Sequence, residues 1–172
     1  PNPSIPGESI SVESELKRIL GEFNGNIVEP LTLPIEVECK RVRREFGHSA
    51  SVTLSFSRDV SAHEVTTTWS EFQNSVEKID LPSGMKSPIF FVSDVFNALD
   101  QSIESENNFL LDSMEVYIGN IRVSGNVASF DVISDNTVRG AAGNSVLLAE
   151  MMLAQGIIHD SPSAHYIRQD VR

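Results

Sequence analysis

The stretch MEVYIGNIRVSGNVASFDVIS, residues 114–134, decides the fold of this chain. It contains two runs rich in β-branched and aromatic residues, separated by Ser124, Gly125 and Asn126. Residues of these turn-forming types between two β-rich runs are a good signal for a β-hairpin. With 172 residues and 40% hydrophobic content, the chain is long enough for one domain with its own core.

Two further strands are predicted before the hairpin. The segments PIEVECKRV (34–42) and SVTLSF (51–56) alternate apolar and polar residues, as half-buried strands do. The glycine at position 47 is suited to a turn between them. The segment PIFFVSDVF (88–96) fits either a strand or the start of a short helix.

Three helices are predicted from apolar residues at helical spacing. The first lies in SVESELKRILGEF (11–23), with acidic residues early and basic residues late. The second lies in SAHEVTTTWSEF (61–72), where Ser61 and Glu64 have the spacing of a capping box. The third, GAAGNSVLLAEMMLAQG (140–156), is nearly all apolar, so either this domain or another domain or subunit covers it. These elements indicate an α+β fold.

The formal net charge of −11 argues against general binding to nucleic acids or anionic membranes, both of which need a broad basic surface. Against this background, KRVRREFGHS (40–49) concentrates four of the thirteen basic residues within five positions. Guanidinium groups at such spacing suit either the binding of a carboxylate or phosphate, or a solvated basic strand edge.

Two residues of this stretch are candidates for site chemistry. The alternation of 34–42 puts Arg41 on the buried side of the predicted strand, where a charge needs a carboxylate or a ligand. A bulge that turns Arg41 to solvent is the alternative. His48 can serve in acid–base catalysis or be an ordinary loop histidine.

Other features limit the possible functions. The single cysteine, Cys39, cannot form an internal disulfide, and we expect it to be a small buried hydrophobic residue. His159 and His165 have no evident third ligand, so no metal site is expected. No apolar run is long enough to span a membrane and the amino end does not resemble a signal peptide, which predicts a cytoplasmic chain.

Three blocks of sequence resemble the carboxy-terminal catalytic and dimerisation part of aspartate-semialdehyde dehydrogenase, in particular its archaeal and fungal-like branch. ELKRILG (15–21) is similar to the family helix ETxKILG, and CKRVRREFGHSASV (39–52) is similar to CxRVPVxxGHxxxV. VYIGNIR (116–122) with DNTVRGAAGNSVLLAE (135–150) is similar to VGRIR followed by HNTxRGAAGxSVLxAE. The resemblance covers residues 5–158. We expect residues 1–158 to form the domain, followed by a tail over 159–172.

The resemblance implies a fold like the C-terminal domain of glyceraldehyde-3-phosphate dehydrogenase. This fold has a mixed, mostly antiparallel sheet with helices mainly on one face, and a homodimer or tetramer interface formed through the sheet. It also implies an NADP-dependent reaction of aspartate semialdehyde and phosphate, through a thioester on a cysteine. The matching residues, with the roles that the family gives them, are His48 (acid–base partner of that cysteine), Arg41 (substrate carboxylate), Glu15 (substrate amino group), Arg18 (phosphate), Asn136 (nicotinamide cofactor) and Gly140 (start of the helix against the nucleotide domain).

The chain departs from the family pattern in three respects. The nucleotide-binding domain and nucleophilic cysteine are not found in these residues, so the chain by itself is expected to be inactive. Arg18 replaces a lysine, which changes the geometry of phosphate binding. Arg43 and Arg44 replace small and proline residues, which leaves open an acyl-CoA reductase. A non-catalytic dimerisation module is a third hypothesis.

Overall fold

The structure is a computed structural model that describes residues 5–44, 46–76, 80–85, 87–104 and 114–159. The chain divides into two compact units, Pro1–Glu45 and Phe46–Arg172. All but the first residue of the predicted tail lies outside the described residues.

The first unit contains one helix and a short hairpin. Helix α1 spans Glu8–Ile19, with Glu8 in its first turn and Lys17 and Arg18 in its last. This distribution of charge matches the helix dipole and confirms the predicted helix, which begins three residues earlier than expected. Strands β1 (Glu22–Phe23) and β2 (Val28–Glu29) then pair antiparallel.

The segment over 34–42 has the burial pattern of a strand without being one. Its odd-numbered members, from Ile35 to Arg41, are half-buried, and its even-numbered members from Glu36 to Val42 are exposed. The predicted alternation is therefore present. However, the segment has no ladder partner among the residues that the structure describes, so the strand itself is not formed there.

The second unit is organised around a four-stranded mixed sheet with the order β3–β6–β5–β4. The predicted hairpin is confirmed and forms the centre of this sheet, with Gly125 in its turn at φ 59°. Strand β3 pairs antiparallel with β6, whereas β4 runs parallel to β5. The strands are β3 (His48–Ser55), β4 (Ile89–Phe91), β5 (Val116–Ser124) and β6 (Val127–Ser134).

The described helices of this unit follow the predicted positions. The ambiguous segment 88–96 contains strand β4 and the start of helix α3, so both interpretations were partly right. The apolar segment 140–156 begins with a π-helical turn and continues as an α-helix. The helices are α2 (Ala62–Val76), α3 (Val95–Glu104), the π-turn (Val138–Ala142) and α4 (Gly143–Ala154).

Helices α2 and α3 pack on opposite faces of the sheet. Val95 and Leu99 of α3 form the core cluster with Tyr117 and Ile133. The ring of Trp69 in α2 packs edge-on against Phe130, with centroids 4.9 Å apart. Since residues 130 and 133 point to opposite sides of β6, these two helices lie over different faces. The predicted α+β class with a mixed, mostly antiparallel sheet is confirmed.

Helix α4 leaves much of its apolar surface exposed. None of its residues is buried, and Val146, Leu148 and Leu153 are among the exposed large hydrophobic residues. Coverage of α4 by another domain or subunit therefore stays a prediction. None of the helices in the described part of the chain is long and apolar enough to cross a membrane.

The core can be tested by truncating Leu99, whose side chain is fully buried. We expect Leu99→Ala to lower the free energy of unfolding by about 2–5 kcal/mol, because it removes buried methyl groups and leaves a cavity. Leu148→Ala, at a side chain that is 58% exposed, is the matched control and should change it much less. Urea unfolding measures both, and equal losses would contradict the assignment of the core.

The start of α2 can be tested by its pH dependence. Ser61 N–H donates to Glu64 Oε2 at 2.8 Å, and Glu64 N–H donates to Ser61 Oγ at 3.1 Å, which confirms the capping box. The Ser61 backbone hydrogen bond, followed by that of Arg58, lowers the pKa of Glu64 below its ordinary value of 4.5. A lowered folded-state pKa contributes stability above 4.5 that is lost as the pH falls through the folded value.

Glu64→Gln is therefore expected to be less stable than the unmodified chain near neutral pH, and this difference should shrink as the pH falls below 4.5. Unfolding free energies measured from pH 7 to pH 3 check this. Glu71→Gln, on the same helix, is the control. A difference for Glu64→Gln that does not depend on pH would contradict the role of its charge in the cap.

Candidate functional site

The sheet of the second unit brings His48 to the same end as Asn136. His48, the first residue of β3, is the register partner of Ser134, the last residue of β6. Paired Cα atoms in an antiparallel ladder lie roughly 4.5–5.5 Å apart, and Asn136 follows Ser134 by two residues. The imidazole of His48 is exposed and Asn136 is half-buried, so both can be reached from this end of the sheet.

Gly47 allows the chain to enter β3 at this point. It has φ 83°, in the left-handed region that favours glycine. A Cβ at this position would overlap Leu99 Cδ2 and lie 3.2 Å from the carbonyl oxygen of Ser134. The glycine before His48 is thus required by packing within the second unit, whether or not a ligand approaches the histidine.

Asp135 organises the turn that carries Asn136. Its side chain is almost fully buried, at 2% exposure. Oδ1 accepts hydrogen bonds from the backbone N–H and hydroxyl of Thr137, each at 2.6 Å, and from the N–H of Val138 at 3.2 Å. This is how an aspartate caps the first orphan N–H groups of a helical segment. Asp135 therefore fixes the start of the π-turn next to Asn136.

Gly140 in the π-turn and Gly143, the first residue of α4, differ in what surrounds them. A Cβ at Gly143 would overlap Met114 Sδ and meet Val138, so Gly143 is small because of packing. A Cβ at Gly140 would meet only Asn136 Cβ, at 3.8 Å, and Gly140 is exposed. Packing among the described residues therefore does not explain the glycine at 140. Arg139, directly before Gly140, is a further cation of the turn: burial lowers its pKa, and its guanidinium donates to the Met114 carbonyl at 3.3 Å.

The candidate residues of the first unit lie on α1 and on the extended segment. Arg41 is half-buried and its NH2 group donates to Glu8 Oε1 at 2.7 Å. The carboxylate that its inward position calls for is thus Glu8, seven residues before Glu15 on α1. Glu15 and Arg18 are exposed, while Lys40 pairs with Glu38 at the surface.

Sequence reasoning missed two carboxylates. Asp135 had a usable signal, because Asp two residues before Thr in a turn is typical of an aspartate that caps its own backbone. Glu8 had none, since its partner is 33 residues away. In the described part of the chain no three His, Cys, Asp or Glu side chains are grouped to hold a metal ion, and His165 lies outside it.

Sequence comparison finds similarity to dehydrogenases and reductases. It is 32% identical over 157 residues to an aspartate-semialdehyde dehydrogenase of Archaeoglobus fulgidus, a match that covers 91% of this chain and 43% of that protein. An aspartate-semialdehyde dehydrogenase of Aspergillus fumigatus is 32% identical over 165 residues, covering 91% of this chain and 44% of that protein. A malonyl CoA reductase (NADP) of Metallosphaera sedula is 26% identical over 155 residues, covering 88% and 43%.

The chain is similar over about 91% of its length to aspartate-semialdehyde dehydrogenases of an archaeon and a fungus, as its motifs predicted. Its α+β fold agrees with the glyceraldehyde-3-phosphate-dehydrogenase-like C-terminal domain that these homologues imply. The chain spans less than half the length of the curated relatives it matches. No protein-family model matches the sequence.

The entry into β3 can be tested at Gly47. Gly47→Ala is expected to destabilise the chain by about 2–4 kcal/mol. The alanine side chain is unfavourable at a left-handed backbone position, and it overlaps Leu99. Gly156→Ala is the matched control, because Gly156 also has positive φ but nothing lies within 4 Å of its Cβ position. Chemical unfolding of both variants compares them, and a loss no larger for Gly47→Ala would contradict the packing constraint.

Proposed function

We propose that this chain is the substrate-binding and dimerisation part of an NADP-dependent aspartate-semialdehyde dehydrogenase. The enzyme converts L-aspartate 4-semialdehyde, phosphate and NADP to aspartyl phosphate and NADPH, a step of amino-acid biosynthesis. The observation that carries the proposal is the end of the sheet, where the ladder sets His48 opposite Ser134, two residues before Asn136. These are the positions that match the family's acid–base and cofactor-binding residues.

His48 has the properties that proton transfer requires. Its imidazole is exposed, and an imidazole can act as both general base and general acid, so it can take a proton from a nucleophilic thiol and return it. Its position is fixed by the Gly47 turn. We assign it the role of acid–base partner to a cysteine outside these residues, since Cys39 matches a family cysteine next to the substrate arginine.

Substrate binding is assigned to the first unit. Arg41 suits a carboxylate, because a guanidinium can donate two parallel hydrogen bonds to it. Glu15 is an exposed anion suited to the substrate amino group, and Arg18 an exposed cation suited to phosphate. Arg18 cannot reproduce the compact charge of the lysine that the family has here, so phosphate affinity is where this chain should differ from its relatives.

The turn after β6 fits the cofactor assigned to it. The surroundings of Gly140 leave open space where a side chain would be, and this suits close approach of a ligand to the backbone. Asn136 and Gly140 would hold part of NADP, which supplies the hydride acceptor when bound. Asp135 keeps this turn in place through its three hydrogen bonds.

The remaining parts of the proposal concern the complete enzyme. None of the 172 residues forms a GxGxxG motif, so nucleotide binding is assigned to a separate domain and this chain alone should be inactive. We propose that residues 1–158 act as one domain, that α4 packs on the nucleotide domain, and that the protein is a cytoplasmic homodimer or tetramer.

A related acyl-CoA reductase is the second candidate. The similarity to a malonyl CoA reductase (NADP) favours it, and Arg43 is an exposed cation that suits a larger anionic substrate. Phosphate distinguishes the two candidates, because the dehydrogenase requires it as a substrate and the reductase does not.

The test uses this chain joined to a nucleotide-binding domain with its cysteine. We expect phosphate-dependent reduction of NADP with L-aspartate 4-semialdehyde. His48→Asn should lower kcat by roughly 10²–10⁴-fold, the usual contribution of a general acid–base residue. His63→Asn, at an exposed histidine on α2, is the control and should leave kcat unchanged.

Three other outcomes would contradict the proposal. Malonyl-CoA-dependent oxidation of NADPH without phosphate would favour the reductase. An active enzyme whose kcat is the same after His48→Asn would remove the assigned role of His48. No turnover with either substrate would favour a non-catalytic dimerisation module.

A further inference from the structure

Two side chains in the first turn of α1 bind the extended segment of the first unit. Glu8 Oε1 accepts a hydrogen bond from the Arg41 guanidinium at 2.7 Å. Ser9 Oγ accepts one from the backbone N–H of Cys39 at 2.9 Å. We call these two contacts the α1 clamp. Together they fix the helix and the segment to each other at neighbouring points, although 30 or more residues separate the partners along the chain.

The ion pair of the α1 clamp differs from an ordinary surface pair. The Arg41 and Glu8 side chains are 30% and 26% exposed, whereas those of the nearby Lys40–Glu38 pair are 68% and 75% exposed. Partly buried charges are less screened by salt than exposed ones, and exposed pairs often contribute nothing measurable. Like the Lys17–Glu13 pair of α1, whose side chains are 30% and 35% exposed, the Glu8–Arg41 pair is therefore better able than an exposed pair to hold its cation in a defined place.

The α1 clamp leaves Arg41 able to bind a second anion. A guanidinium has five N–H donors, and among the described residues Arg41 uses one of them on Glu8. The remaining N–H donors of the guanidinium can still bind a carboxylate through two parallel hydrogen bonds. Glu8 neutralises the charge of Arg41 but occupies only one of its N–H donors.

The α1 clamp also aligns Glu15 with Arg41. Glu8 and Glu15 are seven residues apart on α1, so their side chains leave the helix within about 20° of the same direction. Their Cα atoms are separated by about 10 Å along the axis. Fixing the first turn of α1 to the segment that carries Arg41 therefore also sets the distance between Arg41 and Glu15.

We propose that Glu8 is a positioning residue for substrate recognition. It holds the Arg41 guanidinium in place for the carboxylate of an amino-acid substrate and, with Ser9, sets Glu15 at the distance that the amino group of the same molecule requires. This inference rests on the proposed function, which assigns the carboxylate to Arg41 and the amino group to Glu15. It adds a residue that lies outside the family motifs.

The experiment titrates the 172-residue chain with L-aspartate, which carries the same α-carboxylate and α-amino groups as the semialdehyde. NMR correlations of the arginine side-chain Nε–H groups follow Arg41 directly. In the unmodified chain we expect a saturable shift of the Arg41 signal. Glu8→Gln should raise the dissociation constant at least fivefold, because the uncharged amide holds Arg41 less firmly, and Glu8→Asp should recover part of the affinity.

Glu38→Gln is the matched control, since it removes the exposed carboxylate of the neighbouring pair and should leave the affinity unchanged. Ser9→Ala tests the second contact and should weaken binding without removing the ion pair. Circular dichroism checks that each variant folds. If Glu8→Gln does not fold, Glu8→Asp and Ser9→Ala decide the matter by their dissociation constants.

The outcomes separate the two claims. Unchanged or tighter binding in folded Glu8→Gln, with normal binding in the unmodified chain, overturns the positioning role and shows that Glu8 is incidental or competes with the substrate. If the Arg41 signal of the unmodified chain does not respond to L-aspartate, the substrate role proposed for Arg41 fails, and the inference about Glu8 fails with it.

Discussion

The packing of Leu99 against Gly47 and Ile133 is the contact on which the candidate site of the second unit depends. Leu99 and Ile133 are fully buried, and the space beside them admits only a glycine at position 47. Because Gly47 precedes β3 and Ile133 is the penultimate residue of β6, this contact fixes where both strands end. His48 and Asn136 therefore take their positions from the hydrophobic core and not from any interaction with each other.

A buried carboxylate fixes the turn that follows the sheet. Asp135 follows β6 directly and binds the first backbone N–H groups of the next turn, and its own carbonyl accepts from Gly140 N–H at 3.2 Å. A hydrogen bond that spans five residues is the mark of a π-turn, which is often found at functional sites. Packing requires a glycine at position 143, where α4 begins, but not at position 140 in the turn. Gly140 is therefore the glycine that close approach of a ligand would explain.

The parts of the fold that were predictable are those specified by neighbouring residues. The hairpin around Gly125 and the capping box of Ser61 and Glu64 are local in sequence, and both are present. Alternation also indicated an inward position for Arg41, with a bulge that turns it to solvent as the alternative, and Arg41 is half-buried. Its partner Glu8 could not be predicted, and neither could the lack of a ladder along 34–42, because pairing between distant segments depends on tertiary packing. The π-turn was missed because apolar periodicity does not distinguish it from the first turn of an α-helix.

Charge determines how the proposed site would recognise its ligand. A chain with a net charge of −11 does not attract anions over long distances, and screening limits such forces to about 8 Å at physiological salt. Lys40 and Arg41 are already paired with glutamates of the chain, so the basic stretch is less positive than its sequence suggests. Recognition of a carboxylate must then come from short-range, directional hydrogen bonds. Such bonds favour a ligand with the correct geometry over any ligand that is merely negative.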